Sequence, residues 1–387
     1  MSPTTRSQTR RHRSPTRRRL SSPCDPPTYR VDLSAPPETR YREICADFKA
    51  HLADIVPIYD DLLQLTAAPS TLNFLARTLL RRVHSTEETR EIRGIAKATG
   101  VPLHLVVAFN TFLDLFSGCS SGGVRVTDAG DGRDRGVVHF RGLDWAMEPL
   151  RKLIICVDYI RDSETVARAV TYAGYVGVLT GVRHGLSMSL NYRVRLDSPS
   201  SVISHRLHQT ALLLGLRPSI SSLLRRILLA PSPPTLDTLA QTVPRTPSTP
   251  CYLTFCAPTG VLVLEKDLVR ATAHASPDFL AVTNHDARME GLTPDEWRAL
   301  LEKEGPGVRD DAIIMDSIER KRCVAQMCAA RGGKSARLRV QDVVRQLETR
   351  PVQNECTHFS CVMDPAGDGG GLLWVRAYPE PVDMDSE

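Results

Sequence analysis

The apolar pattern of this chain changes period once, and that change restricts what it can fold into. From Glu38 to Leu65 the residues Ile44, Phe48, Leu52, Ile55, Tyr59, Leu62 and Leu63 recur at intervals of three or four, the mark of one helix face, with Pro57 expected to kink it. A second helix is predicted over Leu72–Val83. Ser85 and Glu88 cap a third that Gly100 closes, and Pro102 starts a fourth over Val101–Phe116. This first third reads as all helix. From Cys119 onward the apolar residues gather into short runs between turn residues: Val137–Arg141, Leu153–Tyr159, Val166–Tyr172, Ser187–Asn191, Tyr252–Phe255, Val261–Glu265, Phe279–Thr283, Phe359–Met363 and Leu372–Ala377. Helical patterns at His205–Leu214, Ser219–Leu229 and Asp310–Ala330 interrupt these strands. A further short helix fits between the loops "PSPPT" (231–235) and "PRTPSTP" (244–250).

Composition excludes several classes. A length of 387 residues suits two or three domains, or one large domain with extensions, and no segment approaches 18 uninterrupted apolar residues. The net charge of +5 hides an uneven distribution: seven arginines and no acid fall in residues 1–20, and without them the balance is −2. The remainder is no basic nucleic-acid binder, and no specific nucleic-acid partner is expected. Residues 1–25, rich in Arg, Ser and Pro, read as a disordered tail, as a solvated segment, a nuclear-type basic patch or a transit peptide. They lack the apolar core of a secretory signal, so a cytoplasmic placement is favoured over an acidic lumen. The ten cysteines are too sparse for a disulfide scaffold. The pairs Cys251/Cys256, Cys323/Cys328 and Cys356/Cys361 are each five apart, which means opposite faces of a strand or about 140° around a helix. Neither chelates easily, so buried thiols and no metal or cofactor are expected.

The period changes at "LDLFSGCSSGGVRV" (113–126), where Cys119 stands between an apolar run and a Ser/Gly stretch. A reacting cysteine needs a base or a positive field. Eleven histidines are present, none in the local signatures of papain-like proteases. The alternative base is the residue's own amine: cutting Gly118–Cys119 would give Cys119 an α-amine of reference pKa about 7.7–8.0 beside a thiol of about 8.5. Gly118 suits such a cut because it tolerates backbone strain.

The words "FNTFLDLFSGCSSG", "VVHFRGLDW", "YAGYVGVLTGVRHGLSMSLNYR" and "AVTNHDAR" stand in this order. With "PPTYRVDLSAPPETRYREI" (26–44) and "EIRGIAKATGVPLHLVVAFN" (91–110) before them, the chain closely resembles the acid ceramidase and N-acylethanolamine acid amidase family of N-terminal-nucleophile cysteine hydrolases. The resemblance implies an α+β protein, an αββα sandwich (119–387) preceded by a helical α-subunit segment (26–118). It implies a zymogen that cleaves itself before Cys119, leaving two associated fragments, and an amidase that releases a fatty acid from an N-acylated lipid such as ceramide. It further implies that Cys119 is the nucleophile, that Arg141 and Asp144 are the R-x-x-D after it, that Asn284 is the asparagine of T-N-x-D and that Arg320, in "IERKR", is a later site arginine. Chemically, Asp144 can orient the α-ammonium, Arg141 can hold a thiolate or carboxylate, and Asn284 can donate to an oxyanion.

The glycine-rich stretch 172–190 has two readings. Its Tyr175, Gly177 and Leu179, with Asn191 and Tyr192 beyond, line an acyl channel or touch a membrane surface; otherwise it is a hairpin with glycine turns. Tyr192 stands where the family commonly has Glu, in a position associated with self-cleavage, and Tyr supplies no charge. Two alternatives follow: an N-acylethanolamine amidase of the same family, or a catalytically silent lipid-binding homologue.

Overall fold

The computed structural model describes residues 24–64, 68–112, 118–128, 132–193, 200–304, 311–329, 338–367 and 370–382. The arginine-rich segment and residues 113–117 fall outside them.

Strand β1 (Thr28–Asp32) precedes six helices: α1 (Arg42–Asp47), α2 (Lys49–Ala53), α3 (Ile55–Gln64), α4 (Pro69–Leu79), α5 (Thr86–Thr99) and α6 (Leu103–Phe112). Then come β2 (Gly118–Thr127), β3 (Asp134–Asp144), β4 (Ile154–Arg161), β5 (Glu164–Tyr172), β6 (Thr180–Arg183) and β7 (Leu186–Tyr192). Helices α7 (Val202–Leu213), α8 (Ile220–Leu228) and α9 (Leu236–Thr242) lead to β8 (Cys251–Ala257), β9 (Gly260–Lys266), β10 (Ala271–Ser276) and β11 (Phe279–Val282). The series ends with α10 (Pro294–Glu304), α11 (Asp311–Ala329), α12 (Val340–Leu347), β12 (Thr357–Asp364) and β13 (Gly371–Ala377).

The strands form two sheets, β1-β4-β5-β6-β7-β8-β9-β10 and β11-β2-β3-β12-β13. They stack face to face, β2 and β3 against β7, β8 and β9. α8 covers the outer face of the larger sheet at β6 and β7; α11 and α12 cover the smaller sheet. This is the expected αββα order of layers. Val343 and Leu347, one helical turn apart on α12, are fully buried against Val124, Val138, Phe140 and Val362; each such side chain contributes about 1.5–3 kcal/mol. No helix among the described residues is long and apolar enough to cross a membrane.

The amino-terminal part departs from the all-helical expectation. β1 pairs in parallel with β4, Thr28 opposite Cys156 and Asp32 opposite Ile160, and so adds an edge strand to the larger sheet. The expected helix from Glu38 to Leu65 is three short helices broken at Phe48 and Asp54, not kinked at Pro57. Pro57 sits in the first turn of α3, where no intrahelical N–H bond is lost. Its neighbour α5 obeys its signals: Ser85 Oγ accepts the Glu88 N–H at 3.2 Å, and Gly100 ends the helix at φ 83°.

Two glycines of β2 are imposed by packing. A Cβ on Gly122 would stand 2.2 Å from the Leu280 carbonyl oxygen, and one on Gly123 would stand 2.7 Å from Cys256 Sγ in the facing sheet. The Ser-Ser-Gly-Gly after Cys119 is therefore already strand, pressed between β11 and the opposite sheet.

Candidate active site

Cys119 is the second residue of β2, and the ladder to β3 sets its neighbours: Cys119 opposite Leu143, Ser121 opposite Arg141, Gly118 opposite Asp144. Alternation along the strands puts Cys119, Ser121 and Arg141 on the face toward the larger sheet, where Ser121 Oγ donates to Asn191 Oδ1 at 2.9 Å. Gly118, Ser120 and Asp144 take the other face, beneath Arg320 of α11. Cys119 itself has no exposed surface.

The main chain of Cys119 is held from three sides. Its N–H donates to Asn284 Oδ1 at 2.8 Å. Its carbonyl oxygen accepts from Arg320 Nη1 at 2.7 Å and from Asn191 Nδ2 at 3.3 Å. Asn284 Oδ1 also accepts from Arg320 Nη2 at 3.0 Å, while Asn284 Nδ2 donates to the Tyr192 carbonyl at 2.8 Å. Donors at one end of the amide and an acceptor at the other fix its orientation. One of the two N–H donors of this amide is thus engaged by the Tyr192 carbonyl.

Arg320 is fully buried and donates from Nε to Asp316 Oδ2 at 2.7 Å and from Nη1 to Ser120 Oγ at 3.1 Å. Its Nη1 stands 3.7 Å from Asp144 Oδ2. Asp144 Oδ1 accepts the Thr357 hydroxyl at 2.8 Å, but Oδ2 has no hydrogen-bond partner. Burial pushes the Asp144 carboxyl above its ordinary pKa, against the pull of Arg320 and Thr357. A Cβ built on Gly118 would meet Asp144 Cβ at 3.4 Å, ordinary contact, so crowding does not impose glycine there.

Arg141 donates to Asn191 Oδ1 at 2.6 Å and to the Leu190 carbonyl at 2.7 Å. Asn191 Nδ2 reaches the carbonyls of Val282 at 3.2 Å and Thr283 at 3.1 Å as well as that of Cys119. This one amide joins β2, β3, β7 and the end of β11. Tyr192 enters the site through its carbonyl, which any residue would supply. Tyr175, Gly177 and Leu179 stand apart from these contacts, in the buried turn between β5 and β6. Tyr175 packs edge-on against Phe109, and a Cβ on Gly177 would meet Ser221 Oγ at 2.7 Å. The hairpin reading holds for β6 and β7, which turn at Gly185 with φ 83°.

Several site neighbours carry no legible signal in the sequence. Tyr172 shares a hydrogen bond of 2.9 Å with His358 Nδ1; burial and then the nearby Cys119 push its hydroxyl well above the ordinary phenol pKa. Ser317 Oγ accepts the Asn284 N–H at 2.7 Å. Arg193 and Asp286 lie inside words already quoted, "LNYR" and "TNHD", yet neither had a role.

Buried histidines make the fold acid-sensitive. Burial depresses His139 and His358 to about 3 and His208 and His285 to about 4. These folded-state values lie below the unfolded value of about 6.5, so the stability is full above pH 6.5 and is lost as pH falls toward 4. Each histidine contributes up to about 1.4 kcal/mol per pH unit in that window. Glu88 and Asp144, both raised by burial, oppose this as they take up protons on acidification. The urea midpoint is therefore expected to fall steeply between pH 6.5 and 5; a flat midpoint would refute the assignment of neutral histidines.

Comparison with known proteins shows what this chain is similar to. The model of the beta subunit of N-acylethanolamine-hydrolyzing acid amidase matches residues 25–84. The chain is 31% identical to acid ceramidase of Rattus norvegicus over 189 residues, 44% of this chain and 46% of that protein. It is 31% identical to N-acylethanolamine-hydrolyzing acid amidase of Caenorhabditis elegans over 179 residues, 43% of this chain and 48% of that protein. The chain is thus similar to acid ceramidases and to N-acylethanolamine-hydrolyzing acid amidase over a little under half its length. It spans about half the length of the curated relatives it matches. Among solved structures, the Caenorhabditis elegans N-acylethanolamine-hydrolyzing acid amidase ortholog aligns at 24% identity and a TM-score of 0.47, covering 64% of this chain and 94% of that one. The matched residues 25–84 span β1 to α4, the segment that adds an edge strand to the larger sheet.

Proposed function

We propose that this protein cuts its own Gly118–Cys119 bond and then hydrolyses the amide of N-acylated lipids, ceramide giving a fatty acid and a sphingoid base. The observation that carries the reading is the Cys119 nitrogen already seated on Asn284 Oδ1 at 2.8 Å, with Asp144, whose Oδ2 accepts no hydrogen bond, across from Gly118. A backbone N–H uses one acceptor; the ammonium formed by cleavage has three protons to place. The buried carboxylate then gains a second cation beside Arg320, which would draw the Asp144 pKa downward.

In self-cleavage the Cys119 thiol attacks the Gly118 carbonyl, the peptide bond breaks to a thioester, and water releases the Gly118 carboxylate and a free Cys119 amine. In turnover the α-amine takes the thiol proton and the thiolate attacks the substrate carbonyl. The ammonium then protonates the leaving amine, and water, activated by the same amine, hydrolyses the acyl-thioester. Arg320 and Asn191 hold the Cys119 carbonyl and keep the amine beside Asn284 and Asp144; Arg141 orients Asn191. Because Cys119 is fully buried in the uncleaved chain, substrate entry requires the site to open after the cut. The two fragments would stay together through β1 in the larger sheet.

A lipid substrate fits the exposed apolar side chains Leu72, Phe74, Leu75 and Leu79 on α4 and Val202, Ile203 and Leu207 on α7, which suit contact with a lipid surface. N-acylethanolamines are the alternative substrate, supported by the name of the matching family model. Intact mass of the purified protein tests the reading. Two fragments meeting at Gly118/Cys119, with acyl release from a ceramide and acylethanolamine panel, are expected; a chain that stays whole at both pH 5 and pH 7.5 refutes it.

A further inference from the structure

We infer that Arg193 and Asp286 form a clamp that positions Asn284 against the Cys119 amine; this rests on reading Cys119 as the nucleophile. Arg193 donates from Nε to Asp286 Oδ1 and from Nη2 to Oδ2, both at 2.6 Å, and the two side chains are buried, 10% and 3% exposed. Tyr252 of β8 donates its hydroxyl to Asp286 Oδ1 at 2.8 Å, and Arg193 Nη1 donates to the Lys266 carbonyl at the end of β9 at 3.2 Å. The Arg193 guanidinium also lies 5.8 Å from the centre of the Tyr252 ring. On the solvent side Arg288 Nε stands 3.6 Å from Asp286 Oδ2. Burial alone would raise the Asp286 carboxyl, but the Arg193 fork and the Tyr252 hydroxyl outweigh it and hold it below the usual range.

The position of this pair in the chain gives it a role beyond cohesion. Arg193 directly follows Tyr192, whose carbonyl receives Asn284 Nδ2; Asp286 stands two residues after Asn284. The contacts close a ring: Asn284 side chain to Tyr192 carbonyl, along the chain to Arg193, across the ion pair to Asp286, and back through His285 to Asn284. The ring joins β7, β8 and β9 of one sheet to the loop after β11 of the other. Every link in it is short, so a shift of Asp286 is transmitted to the Asn284 amide, whose Oδ1 faces the reacting nitrogen. Ser317, on the Asn284 N–H, fixes the loop from the α11 side but leaves the Tyr192 side to the clamp. Arg193 and Asp286 touch no reacting atom and are positioning residues.

The test compares Asp286→Asn, Arg193→Lys and Tyr252→Phe with the wild-type chain in folding by circular dichroism, self-cleavage rate, kcat and KM. Loss of the clamp in folded Asp286→Asn is expected to lower self-cleavage and kcat by up to about a hundredfold, the cost of misplacing a catalytic group by about 1 Å, with KM within about twofold. Arg193→Lys, which can restore a single bond to Asp286, is expected to recover part of the loss. Tyr252→Phe keeps the ion pair and guards against failure to fold; a smaller fall in kcat alone is expected. In a crystal structure of the Asp286→Asn chain, Asn284 Oδ1 is expected to leave the Cys119 nitrogen. Unchanged kcat in the folded variants, a loss confined to KM, or an Asn284 that keeps its place overturns the clamp. A wild-type chain that neither cleaves nor hydrolyses overturns the functional reading instead, and the position of Asn284 in the variant then decides the clamp alone.

Discussion

Changing Cys119 to Ala is expected to leave one uncleaved chain with no amidase activity at any pH from 5 to 8, a loss on the order of 10⁴-fold or more, as for removal of other covalent nucleophiles. In the proposed mechanism one residue supplies both chemical groups. Without the thiol the Gly118–Cys119 bond is not attacked, and without that cut position 119 never gains a free amine. Two separate losses follow from a single atom. The fold has little reason to fail: the change removes one buried sulfur, while the main-chain contacts from Asn284, Arg320 and Asn191 all involve the nitrogen and carbonyl of residue 119, which Ala keeps. The stability change should fall in the ordinary range of about 0.5–3 kcal/mol. Cys119→Ser separates the roles, since its hydroxyl can attack but lacks a thiol's acidity; slow partial cleavage is expected on the gel. A Cys119→Ala chain that still appears as two fragments meeting at residue 119 would assign the cut to another agent and remove the self-processing step.

The sequence made the strands after Cys119 legible and left much of their company hidden, for identifiable reasons. Runs such as Val261–Glu265 carry consecutive apolar residues because their strands are covered on both faces, and they reappear in β9 with all positions buried. β1 buries only Tyr29 and Val31, alternating with exposed residues among prolines, so its five residues lack the apolar weight that marks a strand. β10, with Ala and Ser at an exposed edge, is invisible for the same reason. The helix over Glu38–Leu65 kept its periodicity through two breaks because the short helices bury Ile44, Leu52 and Ile55 on one side. At the site, Cys119, Asn284 and Arg320 were each nameable from their local words. Their contacts were not, because Arg320 and Cys119 stand 201 residues apart and Arg193 and Asp286 stand 93 apart. Pairings over such distances come from strand register, which a single sequence does not display. The same applies to Tyr192: as a side chain it looked like a lost charge, whereas its established contact with Asn284 is through the main chain.

Replacing Glu91 by Ala is expected to separate the two halves of the molecule once it has been cut. Glu91 belongs to α5, before the Gly118–Cys119 bond, and Arg225 to α8, after it. Glu91 Oε1 accepts from Arg225 Nη2 at 2.8 Å and from Arg40 Nη1 at 2.8 Å, and Oε2 pairs with Arg225 Nη1. Glu91 is 1% exposed and Arg225 4%. Burial alone would lower the Arg225 pKa, but the Glu91 carboxylate, by its charge and hydrogen bonds, more than offsets it, so the guanidinium stays charged in the seam. Arg40 keeps Glu87 and two carbonyls when Glu91 is lost. Arg225 keeps no carboxylate among its described hydrogen bonds, and an uncompensated buried charge costs about 3–5 kcal/mol. In the uncut chain this cost falls on folding, read as a lower denaturant midpoint. In the cut molecule it falls on association, where 3 kcal/mol is more than a hundredfold in the dissociation constant. The parallel pairing of β1 with β4, the Ser222 hydroxyl on Glu88 and the Asn110 amide on Gly174 and Val176 remain as ties across the seam, so the loss is expected as slow separation on size exclusion at low protein concentration. Salt should not reproduce it in the wild type, because the pair is buried from screening ions. Glu91→Gln keeps the shape and one hydrogen bond and should fall between. Fragments of the Glu91→Ala protein that co-elute at nanomolar concentration with an unchanged midpoint would show that the association does not depend on the Glu91–Arg225 pair.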